Sequence, residues 1–332
     1  MAVRRGARVR VVDPRGPGGG ASGGVLGALA PHAPERWTET KALQRDALLA
    51  AGDWWAGIEA ASGMLTGYGR TGRLQPLATE ADVARARDRA DLAARHWGDG
   101  ATWRIVEADE AGPFRPVSAT GLWVHDTLSA RLDPGRAMAA LARAVTAAGG
   151  GIVAEGPEQG PERGPVIDAT GWEGLVRLSH EVGRPLGRGA RGQAARLAFD
   201  AGGAPQVFAG GFHIVPHDDG TVAVGSTTER DGAGETGTDA RLDEVIEAVR
   251  AAMPMLADAP VVARWAGTRP RTATRAPVVG RWPGCEHLVI LNGGFKIGLA
   301  LAPPLAEMAV DLALDGRDRV PDAFRIETLL SA

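Results

Sequence analysis

The sequence predicts an α/β chain of two discontinuous domains, one doubly wound around a parallel sheet and one built on an antiparallel sheet. Three observations carry this. Short strands alternate with helical segments at both ends and again in mid-chain, as β–α–β units require. Residues 193–226 read as strand after strand between Gly and Asp turns, an antiparallel habit. The length, 332 residues, suits one large domain or two intertwined ones.

Each element has its own signal. Ala7 to Val12 alternates apolar residues with Arg and ends at Asp13, a short strand. A glycine-rich turn, Gly16 to Gly24, leads to the apolar run Val25 to Ala30, closed by Pro31 and Pro34. From Thr38 to Ser62, Leu43, Ala47, Leu48, Ala51, Trp54, Trp55 and Ile58 recur at helical spacing. Arg73 to Ala78 is a strand, Ala81 to Trp97 a charged helix, and Gly121 to His125 a strand. Asp133 caps a helix that has Pro134 at its first position and stops at Gly149-Gly-Gly151. Ile152 to Ala154 is a brief strand, Gly156 to Gly164 a loop, and Pro165 to Gly171 a buried strand ending in a tight turn. Three strands follow, Gln193 to Phe199, Gln206 to Val215 and Thr221 to Ser226, with a hairpin turn at His217-Asp-Asp-Gly220. Leu242 to Met253 is a helix. Strands at Val261 to Gly267 and His287 to Leu291 precede Gly293-Gly294 and a helix from Pro303 to Leu314.

Composition excludes several classes. Net charge is −3, which argues against a bulk nucleic-acid binder. One cysteine, Cys285, leaves no disulfide framework and no Cys-based zinc cluster, and the seven histidines show no metal spacing. The start carries charge but no apolar core, so it does not read as a signal peptide. The longest apolar stretch, Leu288 to Leu314, is broken by Asn292, Lys296, Pro303, Pro304, Glu307 and Asp311 and spans no bilayer. A cytoplasmic protein is expected. Of the 37 basic residues only Lys41 and Lys296 are lysines.

A literal G-x-G-x-x-G stands at Gly18, Gly20 and Gly23. As a pyrophosphate loop it fails on context. Pro31 cuts the helix it should open, and no strand with a terminal acid follows about twenty residues on. The alternative makes Ala7–Asp13 the second strand of a dinucleotide-binding unit, with Asp13 accepting hydrogen bonds from a ribose.

The C-terminal motifs favour that alternative. Five segments occur in order: Asp13 at a strand end, Ala21-Ser-Gly-Gly-Val-Leu-Gly27, Ile167-Asp-Ala-Thr-Gly171, Gly267-Thr-Arg-Pro270, and Gly294 to Glu307 with Ala302-Pro-Pro304 inside it. His213-Ile-Val-Pro216 and Val224-Gly-Ser-Thr227 fit between them. Together they resemble the FAD-dependent amino acid/amine oxidoreductase superfamily, which includes D-amino acid oxidase, glycine oxidase and sarcosine oxidase. The resemblance implies a Rossmann-like FAD-binding domain over 1–37, 126–172 and 265–332, and an antiparallel-sheet substrate domain over 38–125 and 173–264. Roughly 20 residues of the family pattern, its first strand and G-x-G-x-x-G loop, have no counterpart here. The expectation is a start placed downstream of the native one, and a gap in the parallel sheet.

The resemblance also implies the chemistry: oxidation of a C–N bond by hydride transfer to non-covalent FAD, giving an imine that hydrolyses. Arg269 matches the carboxylate-binding arginine. Lys296 stands where glycine-oxidase-like members often carry Arg, and the two are not equivalent at a bidentate site. His213 matches a substrate-facing tyrosine, and reads equally well as a strand histidine facing solvent. Asp13, Ser22, Val25, Leu26, Thr170, Gly171, Gly267, Gly293, Gly294, Phe295 and Gly298 fall at the cofactor positions. Two other readings stay open. One is the flavin domain of a tRNA-modifying oxidoreductase, loosely suggested by Arg271-Thr-Ala-Thr-Arg-Ala-Pro277. The other is a truncated, cofactor-free relic. The lead reading expects a small amino acid or amine as partner, with no nucleic acid and no integral membrane association.

Overall fold

In the computed structural model, which describes residues 1–155 and 164–332, the chain opens with β1 (Arg10–Val12). The glycine-rich segment after it folds into turns and a single 3-10 turn (Ala21–Gly23), so the G-x-G-x-x-G triplet opens no α-helix. The loop is tight enough to need Gly23, where a Cβ would lie 1.8 Å from the Gly18 carbonyl oxygen. β2 (Ala28–Leu29) leads to α1 (Glu39–Ser62), whose N-cap Thr38 accepts from the Lys41 N–H. Such a cap contributes about 1 kcal/mol. Ala47, Leu48, Ala51, Trp55 and Ile58 form its buried stripe.

β3 (Arg73–Pro76) precedes α2 (Glu80–Trp97), started by a reciprocal Thr79–Asp82 capping box. β4 (Trp103–Val106), a short α3 (Ala108–Ala111), β5 (Trp123–Asp126) and β6 (Ala130–Arg131) follow. α4 (Pro134–Ala147) begins as read, with the Asp133 carboxylate accepting from the Arg136 N–H. Then come β7 (Gly151–Val153), β8 (Val166–Asp168) and α5 (Gly171–Glu181). Of the loop read at Gly156 to Gly164, all but Gly164 lies outside the described residues.

β9 (Gly187–Ala198), β10 (Gln206–Ala209), β11 (Phe212–Pro216) and β12 (Thr221–Gly225) form the antiparallel run. The single strand expected over Gln206 to Val215 is a hairpin instead. Gly210 and Gly211 take φ +61 and +86, which only glycine adopts at little cost, and turn the chain back. α6 (Ala240–Ala252), β13 (Val261–Thr272), β14 (Val278–Trp282), β15 (Cys285–Asn292), α7 (Gly298–Val310) and α8 (Ile326–Ser331) complete the chain. β13 runs five residues beyond its expected end at Gly267, held by pairing with β9 out to Thr272–Gly187. α7 starts at Gly298, not Pro303, and carries Pro303 and Pro304 inside it. Its apolar face explains the tolerance: Leu301, Leu305 and Ala309 are buried against Val279, Val289 and Phe324, and Ala300 joins the cluster that holds Leu48 and Ala51.

The large sheet has eight strands in the order β13-β9-β12-β11-β10-β3-β5-β4, all antiparallel except at β10–β3. α6 covers one face, with Leu242, Val245, Ile246 and Val249 buried against Leu197, Ile214, Val222 and Val224. Fully burying one such side chain stabilises by roughly 1.5–3 kcal/mol. The remaining parallel pairing lies outside this sheet and in two pieces, β1 with β7 and β8 with β15. No pairing joins these pieces among the described residues.

Candidate active site

Both pieces of the parallel sheet and the edge of the large sheet wall one cavity of about 2670 Å³. Sites for drug-sized ligands run to roughly 300–1,000 Å³, so this one has room for a much longer molecule. Thirteen of the fourteen residues singled out from the sequence line it: Asp13, Ser22, Val25, Leu26, Thr170, Gly171, His213, Gly267, Arg269, Gly294, Phe295, Lys296 and Gly298. Gly293 does not. It is buried behind the wall with φ +77, and a Cβ there would lie 2.4 Å from the Thr272 methyl carbon.

The first wall comes from β1. The Asp13 N–H donates to the Val153 carbonyl (3.0 Å), and one carboxylate oxygen accepts from the Arg15 N–H (3.1 Å), which fixes the turn into the loop. Arg15 then reaches Glu173 at the start of α5, bridging the two sheet pieces. The second wall is the turn from β8 into α5. Asp168 accepts from the Thr170 N–H (3.1 Å) and hydroxyl (2.6 Å), while Arg177 holds its other oxygen. Thr170, Gly171, Trp172 and Glu173 therefore bring the first N–H groups of α5 to the cavity, where an anion is favoured. Gly171 and Gly298 leave the wall bare: nothing lies within 3.5 Å of where either Cβ would stand.

The third wall is β13 against β9, with Gly192 opposite Gly267 and Ala190 opposite Arg269. A Cβ on Gly267 would lie 2.3 Å from the Trp265 ring, and one on Gly24 3.3 Å from it, so the indole fills the space these glycines leave. A Cβ on Gly192 would stand 1.7 Å from Arg269 Nη1; glycine there makes room for the guanidinium. Arg269 donates to Ser226 Oγ (2.9 Å) and, more weakly, to the Thr227 carbonyl (3.5 Å). Among the described residues no carboxylate lies within ion-pair distance of it. Burial lowers its pKa to about 10, against a weaker upward pull from Glu229, so it stays cationic at neutral pH.

Lys296 lines the same end of the cavity and is exposed to it, its Nζ 5.8 Å from the Phe295 ring centre. Crowding by the protein lowers its pKa, and Arg269 and Arg271 push the same way. Phe295 holds φ +42, an uncommon angle for a non-glycine residue, pinned by its N–H to the Pro270 carbonyl (3.1 Å). His213 belongs to the wall rather than to the solvent face. Its ring lies 4.9 Å from that of Phe208, and its Nδ1 is buried without a partner. Burial, with smaller pushes from Arg73 and Lys296, takes the imidazole down to about 3, so it is neutral.

Phe208, Ser226, Trp265 and Gly192 were not singled out from the sequence. Ser226 sat inside a segment already noted, Val224-Gly-Ser-Thr227, and a hydroxyl there was its one signal. Among the described residues no group of His, Cys, Asp and Glu forms a metal site.

Comparison with known proteins shows the family and the fold. The family model for FAD-dependent oxidoreductases of the DAO type matches residues 1–312. A Rhizobium etli protein named as a thiamine biosynthesis oxidoreductase, ThiO, is 30% identical over 321 residues, covering 91% of this chain and 88% of that one. Glycine oxidase from Pseudomonas aeruginosa is 34% identical over 116 residues, 35% of this chain. That match spans about a third of the relative's length (32%). The crystal structure of glycine oxidase from Geobacillus kaustophilus superposes with a TM-score of 0.82 at 20% identity, covering 96% of this chain and 91% of that one, which shows a shared fold.

Proposed function

This chain belongs to the family of FAD-dependent oxidoreductases, and from that premise we propose that it oxidises the C–N bond of a small amino acid or N-alkyl amino acid. The observation that carries the reading is Arg269. It is a cation enclosed by protein, with no acid to pair with among the described residues, at the glycine-walled end of a cavity long enough for a dinucleotide.

The residues present suit FAD. Asp13 stands at a strand end where a ribose would be held, and the Ala21–Gly24 turn with Ser22, Val25 and Leu26 follows it. Thr170 and Gly171 offer the α5 N-terminus, and Gly267, Gly294, Phe295 and Gly298 form a bare-walled stretch opposite. Bound non-covalently, FAD supplies the hydride acceptor. The substrate loses a hydride from its α-carbon and a proton from its nitrogen; the resulting imine takes up water and splits into an amine and a carbonyl product. Arg269 grips the α-carboxylate, a charged contact worth about 1.5–3 kcal/mol that also fixes which hydrogen faces the acceptor. His213 stays neutral and offers Nδ1 as a hydrogen-bonding group without adding charge. Segments 1–37, 126–172 and 265–332 form the cofactor half in this reading, and 38–125 and 173–264 shape the substrate end. Among the described residues no helix is long and apolar enough to cross a membrane. A cytoplasmic enzyme with a small-molecule substrate completes the proposal.

The test is to purify the chain, supply FAD, and mix it anaerobically with a panel of glycine, sarcosine and other small amino acids. The reading expects a protein-bound visible flavin band that one or more of these bleach, with carbonyl product released in equal amount. A chain that retains no flavin, or a bound flavin that no amino acid or amine bleaches, sinks it.

A further inference from the structure

The Ala21–Gly27 stretch walls the cavity with Ser22, Val25 and Leu26. Close packing fixes it on either side of Val25 and Leu26. A Cβ on Gly24 would lie 3.3 Å from the Trp265 ring, so that end rests on the indole. A Cβ on Gly27 would lie 1.8 Å from the Leu132 carbonyl oxygen, and the Gly27 carbonyl accepts from the Leu132 N–H (3.1 Å). Between these points the Val25 carbonyl has one partner among the described residues, Nε2 of His217 at 3.2 Å. No other side chain among the described residues hydrogen-bonds the Ala21–Gly27 stretch.

His217 is 1% exposed and does not line the cavity. A carbonyl only accepts, so the imidazole carries its proton on Nε2. Nδ1 is then an acceptor, buried with no donor. Burial, with Arg196 pushing the same way, lowers the pKa of the ring against weaker upward pulls from Asp133 and Asp219, so it is uncharged near neutrality. A neutral donor suits the place. It holds the carbonyl without adding charge near Arg131, which is 6% exposed and has no ion pair among the described residues. The frame behind the ring is braced. The His217 N–H donates to the Thr221 carbonyl (2.8 Å) and closes the turn between β11 and β12. Asp218 in that turn pairs with Arg136 on α4 (2.5 Å), and Arg196 bridges Asp219 (2.9 Å) to Asp133, the α4 cap (2.5 Å).

We infer that His217 is a positioning residue for the cofactor: by donating its Nε2–H to the Val25 carbonyl it sets the turn from which Val25 and Leu26 meet FAD. The inference rests on the proposed reading, in which those two residues border FAD, and adds one that acts on the cofactor without touching it.

The full chain is freed of FAD in three forms: unaltered, His217→Gln and His217→Leu. A glutamine amide can place a donor where Nε2 stands, whereas leucine keeps apolar bulk and removes the donor. FAD affinity is measured by equilibrium dialysis, and the setting of the bound flavin by its visible circular dichroism. His217→Leu should bind FAD about three- to tenfold more weakly, the worth of one neutral hydrogen bond, with an altered visible dichroism. His217→Gln should stay within about twofold and keep the dichroism of the unaltered protein. If His217→Leu binds FAD as well as the unaltered protein, or both variants lose affinity alike, the role is overturned while the family's use of FAD stands. If His217→Leu does not fold, the ring proton decides. Long-range proton–nitrogen correlation NMR of the unaltered protein, with the His217 signals assigned by their loss in His217→Gln, should show a neutral imidazole with its proton on Nε2. A proton on Nδ1, or on both nitrogens at neutral pH, overturns the inference. An unaltered protein that binds no FAD takes down the cofactor site of the proposed function, and this inference with it.

Discussion

Arg191 on β9 and Arg269 on β13 sit one register step apart and have opposite surroundings. Arg191 pairs across the sheet with Thr268, the residue before Arg269, so alternation sends the two guanidinium groups to opposite faces. On its face Arg191 is 3% exposed and meets Glu229, Asp239 at 3.0 Å, Glu235 at 3.7 Å and the Gly237 carbonyl. Its pKa rises; hydrogen bonds to Glu229 and Asp239 outweigh the burial that opposes them. On the other face Arg269 finds a hydroxyl and a carbonyl, and its pKa falls to about 10. The same side chain on the same ribbon is a finished structural contact on one side and an unfinished one on the other. Among the described residues no acid completes the second, which is why Arg269 is the residue proposed to meet a ligand.

The contrast breaks if the two arginines behave alike on removal. Arg191→Met leaves the buried Glu229 and the exposed Asp239 with one cation fewer, and should cost about 3–5 kcal/mol of stability, chiefly through Glu229, read as a shift in the urea midpoint. Arg269→Met removes a charge that had no partner, and should leave stability within about 1 kcal/mol of the unaltered protein. Its effect belongs to turnover: kcat/KM for the best amino acid substrate should fall about 10²–10³-fold. A stable Arg191→Met, or an Arg269→Met that unfolds, would reverse the assignment of roles.

Much of this site was legible in the sequence because its parts are local. Asp13, Thr170-Gly171, Gly267-Thr-Arg-Pro270 and Gly294 to Gly298 are each a strand end or a turn, where residue type and spacing are dictated within a few positions. The helix starts at Thr38 and Asp133 were legible for the same reason. What stayed hidden depends on register. Nothing in Gly187-Arg-Gly-Ala-Arg-Gly192 says that Gly192 lies under Arg269 while Arg191 turns away, because a one-residue slip would exchange them. Ser226 and Phe208 became site residues only once β12 and β10 were placed on either side of β11. The start of α7 was misplaced because Pro303 looks like a first-turn proline; only the buried apolar face shows why the helix runs through it.

Gly192 sharpens the comparison without removing either arginine. In Gly192→Ala the new methyl group would stand 1.7 Å from Arg269 Nη1, and the guanidinium, at the end of a flexible stem, must swing aside. Folding should tolerate this to within about 1 kcal/mol, since no backbone has to move. Catalysis should not: displacing an anchor by about 1 Å can cost up to 10²-fold, so kcat/KM should drop by about 10–100-fold with the melting temperature nearly unchanged. Parallel losses of stability and turnover would mean that Gly192 matters to the sheet and not to the arginine.

The smallest effect tests the neutral partner in the site. His213 has its pKa lowered to about 3 in the folded chain, so between pH 6.5 and 3 the unfolded state takes up a proton that the folded state refuses. Stability from this group is therefore complete above the unfolded pKa near 6.5 and is lost as pH falls towards the folded value. His32, His125 and His217 are also lowered by burial and act in the same direction, so the whole protein should weaken on acidification. His213→Gln should flatten that loss by up to about 1.4 kcal/mol per pH unit between pH 6 and 4, measured by urea unfolding at several pH values. A slope unchanged by the substitution would mean that His213 takes up its proton in the folded chain as readily as in the unfolded one, so that burial does not hold it neutral.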